Sequence, residues 1–225
     1  MHIEPGIVDG AKMALAYATA SVSAGYTLKL AAQDLRQHNA VSLALRTVIS
    51  AALTFVFFEI LPHFPVGVSE VHFILGTTLF LILGAAPAAL GLALGLLVQG
   101  TFFAPSDLPM YFVNVTTLLM PLFAIDLLAR RVIAEKTAYV ELKYGEVLKL
   151  SLAYQGGVVA WVAFWAIYGH GLGAENLSSV LSFGAAYMLV VLIEPLADLA
   201  ALAVAKSLRP SGNASIWTAR RLYAA

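Results

Sequence analysis

Long apolar runs and short polar breaks alternate along the whole chain. Residues 1–10 are polar at intervals and turn at Pro5-Gly6. Apolar runs then cover about 11–31, 41–61, 71–84, 87–103, 111–128, 150–168 and 179–208. A membrane-crossing helix needs about 20 residues. The third run falls short of that and is expected to begin below the surface, which is tolerated where an element lines a protein interior. His72 is its second residue. Pro62 stops the second run, and Glu194-Pro195 predicts a kink in the last. Gly91 and Gly95, four apart, predict close contact between two helices.

The pattern predicts an all-α polytopic membrane protein with seven transmembrane helices in a single integral membrane domain, residues 1–225. Residues 130–149 form the long hydrophilic stretch, expected as a helical cytoplasmic connector, and 209–225 as a cytoplasmic tail. Composition agrees: 60% of residues are hydrophobic and 12% charged, against about 25% charged in soluble domains. A formal net charge of zero argues against nucleic acid as a partner. The absence of cysteine removes thiolate metal sites and disulfides.

Charge placement sets an expected orientation. With the N-terminus outside, 12 of the 13 lysines and arginines fall on the inner side and only Lys12 lies outside. The positive-inside rule then predicts an outer N-terminus and an inner C-terminus. His2, His63, His72 and His170 fall near the outer face and His38 near the inner one. Residues 1–10 carry Glu4 and Asp9 without the positive charge of a secretory leader. Histidine at position 2 disfavours removal of Met1.

The candidate chemistry lies in the first two residues. The α-amine of Met1, the backbone amide nitrogen of His2 and the His2 ring can wrap one metal ion in two fused chelate rings. Deprotonated amide nitrogen suits nickel(II) or copper(II), which favour tetragonal nitrogen sites, whereas zinc prefers a tetrahedron. His72, at the outer head of a short span, is the candidate fourth nitrogen. Glu70, Glu59 and Asn114 are candidates to hold a histidine through its other ring nitrogen. Glu194 is an intramembrane carboxylate, expected to face a protein interior in either a functional or a structural capacity. His63 and His170 read as interface or loop residues. No catalytic residue is assigned: the chain lacks GxxxxGK[ST], HExxH and GxSxG patterns.

Met1-His2-Ile3 followed by the Pro5-Gly6 turn resembles the opening of the CbiM/NikM family, the substrate-binding membrane subunits of energy-coupling factor transporters. Gly67-Val68-Ser69-Glu70-Val71-His72, followed by Gly76 and Leu83-Gly84, is similar to that family's glycine-threonine-x-x-histidine segment. Gln99, Phe102-Phe103 and Asn114 resemble its glutamine-phenylalanine and asparagine segments. The chain departs from the family pattern over Glu4, Pro5, Gly6 and Ile7, and at Glu70, where a small or uncharged residue is usual.

The resemblance implies import of Ni²⁺ or Co²⁺ as the transported substrate, with Met1, His2 and His72 supplying a square plane of nitrogens. It also implies a transmembrane coupling subunit, a pair of cytoplasmic ATPases, a small extra membrane subunit and residence in the cytoplasmic (inner) membrane. Square-planar nitrogen ligation tips the expectation modestly toward nickel. Two other readings remain open at this point. One is a membrane-embedded metalloenzyme or metal-cofactor assembly factor using Glu59, Glu70 and Glu194. The other is a structural membrane subunit with an incidental metal-binding terminus.

Overall fold

Glycine and proline break the apolar runs into helices of very unequal length. The structure, a computed structural model, describes residues 2–208 and 216–223. Seven α-helices lie among the described residues: α1 Met13–Leu35, α2 Ala40–Phe55, α3 Gly76–Leu83, α4 Ala85–Phe102, α5 Tyr111–Val132, α6 Tyr144–His170 and α7 Ala174–Ser207. Five segments are long and apolar enough to cross a membrane: Ala40–Ile60, Ala85–Phe102, Pro105–Val132, Tyr144–His170 and Ala174–Ser207. Many of their large apolar side chains, among them Leu181, Leu189, Leu192 and Leu196, are exposed in the isolated chain, as lipid-facing residues are. This is an all-α membrane protein. α1 runs for 23 residues, and α3 for only eight.

The third apolar run, 71–84, is helical only over α3, and the stretch ahead of it is not a plain loop. Residues 64–71 form a small antiparallel hairpin, β1 Phe64–Val66 and β2 Ser69–Val71, with Pro65 opposite Glu70. Gly67 makes the turn at φ 62°, and β-branched Val66 and Val71 favour the strands. A Cβ at Gly67 would overlap the backbone carbonyl oxygen of Ser179 on α7, so this turn requires glycine twice over. His72 therefore sits in extended chain ahead of α3, not within a helix.

α3 survives at eight residues because both its ends are satisfied from outside, as orphan helix termini require. At the N-terminal end the Ile74 amide donates to Glu194 Oε1 of α7 at 2.5 Å. At the C-terminal end the Arg46 guanidinium of α2 donates to Leu83 O at 2.7 Å, and the Ala219 amide donates to Ile82 O at 2.7 Å. Thr78 adds a hydrogen bond to Asp198 Oδ1 at 2.5 Å. Ile74 lies just ahead of α3 and Thr78 in its first turn, while Glu194 and Asp198 are one helical turn apart on α7, so α7 holds the start of α3 at two successive points.

Gly91 and Gly95 do make the expected contact: a Cβ at either would run into Ser50 or Thr54 of α2. The connector differs from expectation. α5 extends to Val132 and α6 begins at Tyr144, leaving only a 3-10 turn, Tyr139–Glu141, between them. Tyr139 and Val140 are buried, with the Arg221 guanidinium 5.3 Å from the Tyr139 ring. The Lys143 amide donates to Glu146 Oε2 at 2.8 Å and the Glu146 amide to Lys143 O at 2.9 Å, which starts α6 earlier than hydropathy alone does. α7 continues as helix through Pro195. Part of the C-terminal tail, residues 209–215, lies outside the described residues. Residues 216–223 return to the bundle, where Ser42 donates to Ile216 O at 2.7 Å and Leu222 is buried.

Candidate metal centre

The N-terminal segment reaches His72 by joining the hairpin. Ile3 forms an antiparallel bridge to Ser69. The Glu70 amide and the Ser69 hydroxyl both donate to His2 O, at 3.0 and 2.9 Å. The Glu4 amide donates to Val68 O at 3.2 Å. Asn114 Oδ1 on α5 accepts from the Ile3 amide at 2.9 Å, fixing the far edge of the segment. Residues 2–4 thus act as a third strand, an arrangement that saturates their buried backbone groups and brings position 2 beside position 72.

The two histidine rings meet edge to face with centroids 5.1 Å apart. His2 presents Nδ1 and His72 presents Nε2, each 2.8 Å from the same Glu70 oxygen, Oε2. The three residues are brought together so that one ligand atom from each lies within 4.8 Å of the others. Nδ1 is also the nitrogen that closes a six-membered chelate ring with the backbone amide nitrogen of His2. The geometry therefore offers the ring atom that the terminal chelate requires. Met1 lies outside the described residues.

His2 and His72 are buried, at 5% and 1% exposure. Burial lowers the pKa of His2 and carries that of His72 down to about 2, only partly offset by the hydrogen bonds to Glu70. Burial of Glu70 works the other way, but hydrogen bonds from His2 and His72 hold its carboxyl well below the usual carboxylate range. At neutral pH two neutral imidazoles therefore donate to one ionised carboxylate, and the cluster carries a single negative charge. Asp107 Oδ2 stands 3.8 Å from His2 Nδ1 and adds to the negative field. The arrangement suits a divalent cation.

The other expected partners fall elsewhere. Asn114 holds the backbone of Ile3 rather than a ring. Glu59, in a wide helical turn at Val56–Ile60, accepts from Gln99 Nε2 at 3.2 Å. Glu194 holds the chain two residues beyond His72 through the Ile74 amide; its other oxygen accepts from Gln155 Nε2, and Gln155 Oε1 accepts from Tyr187 at 2.5 Å.

Two neighbours of the site carry no advance signal as such. His63, read from sequence as a loop residue, stacks on His72 with centroids 4.8 Å apart, and Phe58 also stacks on His72 at 4.8 Å. Their nearness follows from the π turn and the hairpin, which hydropathy does not report.

A sequence profile described as "CbiM: Cobalt uptake substrate-specific transmembrane region" matches residues 2–212. The chain belongs to the CbiM family. As a member of that family it is a substrate-specific membrane component of cobalt or nickel transport. A solved structure titled "Crystal Structure of an Truncated Transition metal Transporter" resembles it with a TM-score of 0.61 at 18% identity, over 92% of this chain and 98% of that one. That likeness is one of fold. No curated protein sequence matches the chain.

Proposed function

We propose that the chain captures Ni²⁺ or Co²⁺ at the outer face of the cytoplasmic membrane, with Met1, His2 and His72 as its nitrogen ligands. The observation that carries this reading is the convergence of His2 Nδ1 and His72 Nε2 on one oxygen of an ionised carboxylate, Glu70 Oε2, with the three ligand atoms within 4.8 Å of one another. Both rings are already aimed, so little ordering remains to oppose binding. Glu194 serves this site from within the membrane by holding the segment that follows His72.

Orientation follows from the two ends of α5 and α3. The Ile3 amide meets Asn114 near the start of α5 and His72 lies ahead of α3, while Arg130, Arg220 and Arg221 line a polar cavity of about 530 Å³ at the other ends of these helices. The positive-inside rule makes that second end cytoplasmic. A transmembrane coupling subunit, a cytoplasmic ATPase pair and a small extra membrane subunit complete the transporter in this reading, and ATP hydrolysed by the partners drives the ion inward.

The test is metal content of detergent-purified, untagged chain loaded with nickel or cobalt, beside His2→Ala and His72→Ala. The expected result is one ion per chain in the parent. Each substitution should weaken binding by more than the roughly 10–100-fold that loss of an outer-shell partner costs. Binding unaffected by either substitution rules the capture site out.

A further inference from the structure

The position of Glu70 asks for more than a supporting role. Its Oε2 lies 2.8 Å from His2 Nδ1 and 2.8 Å from His72 Nε2. Metal–imidazole bonds are roughly 2.0–2.1 Å long, so an ion shared by those two nitrogens enters the space that this carboxylate now addresses. The Glu70 backbone is fixed by its place in β2, opposite Pro65, and by the amide bond to His2 O. Its side chain is freer, with 26% exposure against 5% and 0% for the two histidines. It has room to move by a bond length without moving the strand. Among the described residues no lysine or arginine forms an ion pair with it, and its ion pairs are with the two histidines alone.

We propose that Glu70 is itself a ligand of the transported ion, an oxygen placed off the nitrogen plane, and that it selects cobalt(II) over nickel(II). The inference rests on the capture site proposed above. Without metal, the carboxylate holds both rings in the attitude they need. When the ion arrives, the protons on His2 Nδ1 and His72 Nε2 pass to the other nitrogen of each ring, freeing the two lone pairs, the protons of the Met1 amine and His2 amide leave to solvent, and the Glu70 oxygen takes an axial position. Geometry and ligand type, more than raw affinity, discriminate among first-row ions. A plane of four nitrogens suits diamagnetic nickel(II) and offers it no reason to take a fifth donor. Cobalt(II) gains less from the plane and more from an added hard oxygen. Glu70 therefore turns a nickel-like plane into a five-coordinate site. Asp107, farther away at 3.8 Å from His2, contributes field without reaching the ion.

The experiment loads full-length untagged chain, Glu70→Gln and Glu70→Ala with nickel or cobalt, and reads magnetic moment, visible absorption and competition between the two ions. In the parent, bound nickel is expected to be paramagnetic and cobalt to compete favourably. In both variants nickel should become diamagnetic, and the cobalt-to-nickel preference should fall at least tenfold. Diamagnetic nickel in the parent, with spectra and preference unchanged by either substitution, overturns the assignment. That failure is separate from failure of the capture site, in which the parent itself binds no ion or His2→Ala binds as the parent does. Glu70→Gln keeps the shape of the side chain, so its spectrum reports ligation and not folding.

Discussion

The two ends of the helix bundle treat carboxylates in opposite ways. At the end where Arg130, Arg220 and Arg221 gather, each acid that faces the polar cavity is matched by an arginine: Asp34 with Arg46 at 2.6 Å and Asp126 with Arg130 at 2.9 Å. At the end that carries the hairpin, the ion pairs of Glu70 among the described residues are with imidazoles alone. Arg46 is wholly buried and also caps α3 at Leu83 O, so its charge is consumed in holding the structure. An acid paired with arginine has little left to offer a cation. An acid paired with neutral histidines, whose own burial keeps them neutral, leaves net negative charge and nitrogen donors in one place. The arginine-paired end is built to stay together, and the histidine-paired end gathers the kinds of donor that a cation takes.

Substitutions at three positions sharpen that contrast, beginning with the largest effect on metal. Glu194→Ala leaves the Ile74 amide and Gln155 Nε2 without their acceptor in a buried setting. The start of α3 then loosens and His72 loses its aim. Affinity for the loaded ion should fall about 10–100-fold, comparable to loss of an outer-shell partner, as read by competition with a chelator. Glu194→Gln should fall less, because turning over the Gln155 amide lets the two side chains pair again. Equal affinity in Glu194→Ala and the parent would separate α7 from the metal site.

A smaller change is expected from His63→Ala, which removes one stacking partner of His72 while Phe58 remains. Stacked ring pairs are worth about 0.5–1.5 kcal/mol beyond their buried area, so affinity should drop by no more than about tenfold. A total loss of metal would instead make His63 a ligand.

The smallest effect on metal belongs to Arg46→Ala, paired with the largest on stability. Removing one partner of a buried ion pair costs about 3–5 kcal/mol, and here the C-terminal cap of α3 goes with it. Thermal unfolding in detergent should move down markedly while the surviving folded protein binds its ion nearly as before. A metal defect without a stability defect would erase the distinction between the two ends.

Much of the architecture is legible in the chain itself. Hydropathy places the long helices because lipid and helix interior both demand apolar side chains over a fixed length. Gly91 and Gly95 mark a close helix contact for the same local reason that small side chains allow it. His2 is legible because a chelate formed with its own backbone needs no folding to be imagined, and His72 because an imidazole at the edge of an apolar run is conspicuous. The hairpin at 64–71 was not legible, since its strands are three residues each and Pro65 and Gly67 read as a plain loop. Nor was the course of residues 130–149, expected as a helical connector and held in its middle part by Tyr139 and Arg221.

What the sequence by itself determined is the membrane class, the order of the main helices and the two nitrogen-bearing side chains of the site. Those properties depend on single residues or on runs of neighbours. What only the tertiary structure decided is that Glu70 points between the two rings, that His63 and Phe58 stack on His72, and that Glu194 holds Ile74 from 120 residues away. Asn114 and Glu59 were eligible by type to support a ring, and only their distances gave them other partners. These arrangements arise where strand pairing and helix packing bring remote segments within a few ångströms, and no local pattern in the chain encodes that distance.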